Sequence, residues 1–273
     1  SDVKMWGEAK SRRGSEPVRK GVDMSDPEQR TDARVKPYKK EFDYSYTLGA
    51  FPTFELLDTR PEIVRAVILH PGFTERERIT ARCAAQGIPV RADERLLMRI
   101  SPKENCYVAG VFSKYEDRLA SDRDHVVLVR PGDMGNLGTI VRTLAGLGIR
   151  DLGVVTPCAD RFHPRTVRAS MGALFRLRIE AFSSFDEYVK QYGERDVYPF
   201  MLDGALPLRV ADCPVSPRYT LVFGNEATGL DAAFREVGQS VYIPQTAAVD
   251  SLNLPIAVGI GVFSFTTRNP RPD

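Results

Sequence analysis

The chain has 273 residues, of which 42% are hydrophobic and 27% charged, with a formal net charge of +2. These proportions exclude a wholly disordered, collagenous or fibrous chain, and the length allows one large or two modest domains. No run approaches the roughly 20 apolar residues that a membrane-spanning helix needs, and the charged N-terminal segment lacks the apolar centre of a signal peptide. The expectation is a soluble, cytoplasmic protein that needs no membrane. Cys83, Cys106, Cys158 and Cys213 form no CxxC pair, and His70, His125 and His163 stand far apart, so reduced thiols are expected and a metal is not.

Along the chain, residues 1–40 hold 11 Lys and Arg against 7 Asp and Glu, an excess of +4, and leave 27 against 29 for the remainder. This segment has no Leu, Ile or Phe and reads as a flexible basic arm, either a solubilising leader or a phosphate-touching extension. Its end, KPYKK (36–40), is either a solvated linker or a basic approach to a phosphate-bearing partner on which Tyr38 could stack. Residues 41–118 form a second pattern: GAFPTFELL, the strand-like VRAVILH (64–70), the helix-like ERERITARCAAQG, then IPVR and RLLMRIS. This is a small α/β domain. The polar stretch 114–124 reads as the linker to the second half of the chain.

From His125 the sequence alternates strand and helix. HVVLVR (125–130) suits a strand buried on both faces, and Leu137, Ile140, Val141 and Leu144 recur at helical spacing. LGVVT (152–156) is a second strand, Pro164 opens a short helix, RLRIEAF (176–182) is a third strand, and Ser184 with Glu187 forms a capping box. VYPFMLD, YTLVF and SVYIP are further strands, and LPIAVGIGVFSF ends the pattern as an apolar helix, with Ile256 and Val258 read as core and Leu252 as the exception at the loop edge. Such alternation predicts a mostly parallel sheet covered by helices on both faces, with ligands beyond the carboxyl ends of its strands. The loops 131–137, 224–230 and 244–254 are therefore the places to look.

The sequence carries no Walker A segment, no GxGxxG after a strand, no GxSxG elbow and no HExxH, which removes the usual support for NTPase, dinucleotide enzyme, serine hydrolase and zincin. Polar residues crowd three strand-end segments instead. In the first, Asn136, Gly138 and Arg142 are spaced so that Asn136 sits at a helix N-cap and Arg142 nearly two turns in, off the apolar face. The plain alternative is a cap and a solvated arginine. In FGNEATGL (223–230), Gly224 and Gly229 permit close approach or positive φ, and Glu226 needs a partner at the end of a buried strand. The alternative there is that Glu226 caps the helix starting near Asp231. In the third, Ser251 and Asn253 precede a helix, where side chains and free N–H groups converge on a ligand or merely cap the helix.

Taken together, NLGTIVR (136–142), LVFGNEATGL (221–230) and IPQTAAVDSLNLPIAVGIG (243–261), with RASMGALFRL (168–177) between them, resemble the three motifs of the SpoU/TrmH family of RNA ribose 2′-O-methyltransferases. The resemblance covers roughly 125–268. It implies a catalytic domain over 119–273 with a mostly parallel sheet tied in a trefoil knot, preceded by a small RNA-binding α/β domain at 41–118. It also implies S-adenosylmethionine as cofactor, held by Gly224, Ile243 and Leu252 with Phe223, Asn225, Gly229 and Pro244 nearby. Arg142, Asn136, Glu226, Ser251 and Asn253 are the implied catalytic set, with Glu226 holding Arg142 or Asn253. RNA contacts are expected from Arg142, Arg165 and Arg168. The same likeness implies a homodimer through the C-terminal domain, and the appended domain favours ribosomal over transfer RNA. A non-catalytic RNA-binding or ribosome-assembly factor that kept the fold is the competing expectation. Pro255, Gln245 and Thr246 depart from the commoner family residues without touching the polar set.

Overall fold

A computed structural model describes residues 36–101 and 105–272; residues 1–35 of the expected basic arm lie outside them. The described N-terminal part contains β1 (Tyr44–Leu48), α1 (Ala50–Thr59), β2 (Val64–Leu69), α2 (Arg76–Ala85), β3 (Val90–Ala92), α3 (Glu94–Ile100) and β4 (Val108–Ser113). Its sheet has the order β1-β4-β2-β3, antiparallel except for the β2/β3 pair. Period-two alternation along β2 builds two cores: Val67 and Leu69 pack with Phe54, Ile79 and Cys83 on one face, and Ile68 with Leu96, Leu97 and Ile100 on the other. The sequence pattern shows neither β1 nor β4. Ser45 and Thr47 are buried in β1 because their hydroxyls are bonded: Ser45 donates to the Phe162 carbonyl, and Thr47 lies 2.8 Å from Thr53 Oγ1 while accepting from Gly110 N–H.

The C-terminal part continues as β5 (His125–Val129), α4 (Met134–Gly146), β6 (Asp151–Val155), α5 (Pro164–Ala169), β7 (Arg178–Phe182), α6 (Phe185–Tyr192), β8 (Asp196–Pro199), β9 (Leu206–Pro207), β10 (Tyr219–Phe223), β11 (Val241–Tyr242) and α7 (Leu254–Arg268). Five strands form one parallel sheet in the order β7-β6-β5-β10-β8. Strand alternation again divides the core. Val126, Leu128, Leu221 and Phe223 meet α4, α5 and α7, whereas Val127, Val155 and Val222 meet Phe185, Tyr188 and Tyr192 of α6. Helices therefore cover both faces, as the alternation predicts. The order reverses between β5 and β10: the chain leaves β5 toward β6 and β7, then returns to place β10 on the other side, and this is where open parallel sheets form a crevice.

The two parts share a core, since Leu56 of α1 and Phe112 of β4 belong to the same cluster as Leu137 and Phe175. Arg60 fixes the junction, donating to the Phe175 carbonyl at 3.0 Å, pairing with Asp117 at 3.2 Å and lying over the Tyr115 ring. The stretch 114–124 is irregular but not a solvated tether: Leu119 is buried, and Arg161 donates to the Tyr115 carbonyl and to Glu116. KPYKK is likewise anchored, with the Tyr38 hydroxyl donating to Asp160, Lys114 over its ring and His163 at its edge. That engagement replaces the solvated linker, while Lys36, Lys39 and Lys40 stay exposed. Ser184 caps α6 as expected, but the Glu187 carboxylate accepts from Ser183 N–H, one residue before the position that a reciprocal capping box uses.

At the start of β5, His125 is buried between the Tyr188 hydroxyl and the Ala120 carbonyl, each at 2.8 Å, and Tyr188 lies 2.6 Å from Thr220 Oγ1. Burial, with Arg195 adding to it, holds the imidazole down to about 4. The folded value lies below the unfolded value of about 6.5, so this contribution is complete above that pH and is lost as pH falls toward 4. Urea unfolding should show about 2 kcal/mol less stability at pH 5 than at pH 7 from this group, and His125→Gln should flatten that slope.

Candidate functional site

The crevice is built by what leaves the carboxyl ends of β5, β10, β8 and β11. At the end of β5, Arg130 takes a left-handed backbone with φ 56, unusual outside glycine. Its carbonyl accepts from Asn225 Nδ2 at 2.7 Å, which ties it to the loop after β10. Asp133, not Asn136, is the N-cap of α4: its carboxylate accepts from Asn136 N–H at 2.7 Å. Asn136 is thus displaced from the expected cap into the first turn, where Asp133 already satisfies the free N–H.

Glu226 joins the two loops. Its Oε2 accepts from Gly132 N–H at 2.9 Å, and its Oε1 accepts from Asp133 N–H at 3.2 Å and, at the long limit of 3.5 Å, from Asn136 Nδ2. The carboxylate therefore serves the amino end of α4, where negative charge is favoured. It does not cap the helix near Asp231, because Asp231 caps that 3-10 turn itself. No bond joins Glu226 to Arg142 or Asn253 among the described residues, so the expected partners of Glu226 give way to Gly132, Asp133 and Asn136.

The glycines have separate reasons. A Cβ on Gly224 would lie 2.1 Å from the Gly229 carbonyl carbon, so the two arms of the loop can close only without one, while Gly229 itself has φ 65. Gly138 lets α4 meet α5: a Cβ there would lie 2.5 Å from both the Thr166 carbonyl and Ala169 Cβ.

A cleft of about 330 Å³ opens at this end of the sheet, lined by Phe223–Leu230, Ile243, Ser251 and Leu252, and on the far side by Phe200–Asp203. Six of the seven residues expected to hold the cofactor line it: Gly224, Ile243, Leu252, Phe223, Asn225 and Gly229. Pro244 is exposed and outside the lining. Of the catalytic set, Glu226 and Ser251 line the cleft. Asn136 reaches it only through Glu226, and Arg142 is exposed on α4 without a partner among the described residues. Asn253 is the N-cap of α7, yet its side chain makes no capping bond, so the simple capping alternative fails. Arg165 and Arg168 are exposed on α5, which packs against α4. Ile256 corrects the core assignment: it is 56% exposed, whereas Val258 is fully buried. Phe200–Asp203 read in the sequence as the second half of the strand VYPFMLD, but β8 stops at Pro199 and they leave it as cleft wall. Phe200 stacks on Phe223 with centroids 4.4 Å apart and so floors the cleft. Among the described residues no His, Cys, Asp and Glu group could hold a metal.

The fold and site define an α/β protein with a parallel sheet and a glycine-lined small-molecule cleft at its switch point. The SpoU rRNA methylase family model matches residues 124–263, and the chain belongs to that family. It is 32% identical over 206 residues to the 23S rRNA (adenosine(1067)-2′-O)-methyltransferase of Streptomyces laurentii, covering 70% of this chain and 74% of that one. It is 30% identical over 159 residues to the 23S rRNA (guanosine(2553)-2′-O)-methyltransferase of Bacillus subtilis, covering 57% of this chain and 63% of the relative. The AdoMet-bound rRNA methyltransferase of Sinorhizobium meliloti superposes with a TM-score of 0.67 at 28% identity over 81% of this chain and 86% of that one.

Gly138→Ala should lower the unfolding free energy by about 1–3 kcal/mol through overpacking at the α4/α5 contact, read as a lower urea midpoint at unchanged slope. Glu226→Ala should cost about 1–3 kcal/mol by releasing the loop-to-loop bonds, with Glu226→Gln falling between it and the parent.

Proposed function

We propose that this protein transfers the methyl group of S-adenosylmethionine to a ribose 2′-hydroxyl of ribosomal RNA. The observation that carries the reading is a cleft at the switch point of the sheet that is lined by the second and third motif loops, with the first motif's loop tied to it through Glu226. The cleft suits the cofactor in size, in its apolar Phe223, Ile243 and Leu252 walls, and in the bare backbone at Gly224 and Gly229, which leaves peptide groups rather than side chains to meet an adenine. Bound there, S-adenosylmethionine supplies an electrophilic methyl on a sulfonium.

The chain's own part is positioning and charge. The Arg142 guanidinium is a poor base and a good phosphate fork. It holds the phosphate beside the target ribose and stabilises the developing alkoxide, while the hydroxyl proton leaves to phosphate or water. Asn136, held by Glu226, orients the loop and the ribose. Ser251 on the cleft wall and Asn253, uncommitted to capping, fix the substrate, and the in-line approach does the rest. Arg165 and Arg168 extend the basic track, and the domain at 41–118 delivers the RNA. Ribosomal RNA is favoured because the two relatives named above are 23S rRNA methyltransferases, and a cytoplasmic reaction goes with that reading.

The same reading includes a homodimer through α7. Ile256, Ile260 and Phe263 succeed one another at helical spacing as exposed residues, an apolar stripe that a second copy of this chain would cover. It also includes the trefoil knot that the family resemblance implies.

Incubation with tritiated S-adenosylmethionine and unmodified ribosomal RNA should put label into alkali-resistant 2′-O-methyl dinucleotides. Arg142→Ala should abolish it, and Arg142→Lys should lose most of it, because an ammonium cannot form the bidentate fork. Cofactor binding without label on any RNA or ribosomal particle would instead favour an assembly factor.

A further inference from the structure

The other end of the sheet holds a larger cavity. Its volume is about 740 Å³, and it lies at the amino ends of β5, β6, β7 and β10, against the segment after α7. Four arginines line it: Arg123, Arg150, Arg178 and Arg271. Two are committed. Arg178 forks onto Asp151 at 2.7 Å through both Nε and Nη2, and Arg271 reaches Asp124 at 2.8 Å. Those carboxylates are buried and engaged further, Asp151 by Ala120 N–H and Asp124 by Tyr219 N–H.

Arg123 and Arg150 have no such partner. The Arg150 guanidinium donates only to the Ala145 carbonyl, and the Arg123 guanidinium makes no bond or ion pair among the described residues. With Asp122 counted on the rim, the four arginines still exceed the three carboxylates by one charge. The backbone that carries Arg123 is held firmly, because Arg195 donates to the carbonyls of Ser121 and Arg123, and Arg218 donates to Ser121.

An independent observation comes from the wall. Tyr219 is fully buried and lines this cavity, and its hydroxyl has no hydrogen-bond partner among the described residues. A buried hydroxyl left unpaired costs about 1–3 kcal/mol, so such groups mark places where something else supplies the bond. Ile149, Leu147 and Pro270 give the same cavity an apolar side.

Two uncommitted guanidiniums, an unpaired phenol and an apolar wall, in a space of this size, match a phosphate joined to a sugar and base. We propose that this cavity is a second binding site, separate from the cofactor cleft, for a phosphate ester of nucleotide size. Arg123 and Arg150 hold the phosphate, and Tyr219 bonds the remainder. The phosphate comes either from a free nucleotide or from the backbone of the RNA.

The test is calorimetric titration of the full chain, saturated with S-adenosylmethionine to fill the cofactor cleft, with four probes: adenosine 5′-monophosphate, adenosine, inorganic phosphate and a short 5′-phosphorylated RNA. The monophosphate should bind and adenosine should not. The double variant Arg123→Ala/Arg150→Ala, which removes no ion pair, should weaken binding by about tenfold or more while leaving the circular dichroism unchanged. RNA binding with the same loss, and none of the free nucleotide, would support the site with RNA as its source. Equal affinity of parent and double variant, or no binding of any phosphate probe, would overturn it. Tyr219→Phe supplies a second reading: the ligand-free Tm should hold or rise, while the ligand-induced rise in Tm should shrink. An unchanged ligand-induced rise would remove Tyr219 from the site.

Discussion

A single carboxylate joins the two loops at the switch point of the sheet. β5 and β10 lie side by side, but the chain leaves them in opposite directions, so nothing in the sheet's own hydrogen bonding joins the loops above them. Glu226 supplies that link, accepting from Gly132 and Asp133 N–H across the gap, with Asn225 adding a second tie to the Arg130 carbonyl. Charge-assisted bonds of this kind are among the stronger neutral-pH contacts available to a loop. They also fix the amino end of α4, and with it the position of Asn136 and the axis along which Arg142 is carried. The cleft wall and the helix bearing the central arginine are therefore one mechanical unit.

The glycines complete that unit by subtraction. Gly224 and Gly229 press backbone against backbone, which leaves peptide groups bare on the cleft side, and Gly138 brings α4 down onto α5. A side chain at Gly224 would part the two arms of the loop that carries Glu226, and one at Gly138 would part α4 from α5. In this way the conspicuous spacing of small residues in the motifs has a packing cause.

Much of this is legible from residues alone, and the remainder is hidden for physical reasons. Buried parallel strands such as β5 and β10 announce themselves as continuous apolar runs, and α4 by its Leu137, Ile140, Val141 and Leu144 stripe. β1 and β4 do not, because Ser45, Thr47 and Gly110 are buried by hydrogen bonding and close approach rather than by apolarity. The N-cap falls to Asp133 because both Asp and Asn cap well and only the local backbone decides between them. Phe200–Asp203 look like the tail of one more strand, and their role as cleft wall depends on the long-range stacking of Phe200 on Phe223. Ile256 reads as core because an apolar helix does not declare which of its faces lies outward. The partners of Glu226 are backbone N–H groups, which carry no sequence signal.

The reversal of strand order also governs how the molecule comes into being. His125 pairs with Asp151 and then with Thr220, so one edge of β5 finds its neighbour within a few tens of residues while the other waits for nearly a hundred. Contacts of such long sequence separation form slowly, because the loop must close before they are rewarded. During synthesis, β5, β6 and β7 can assemble as a three-stranded half while β10 is still unmade, with the Val126 edge of the sheet open. The last of the cleft residues to emerge is Ala257, so the cleft is complete only after β10, β11 and the first turn of α7 have left the ribosome.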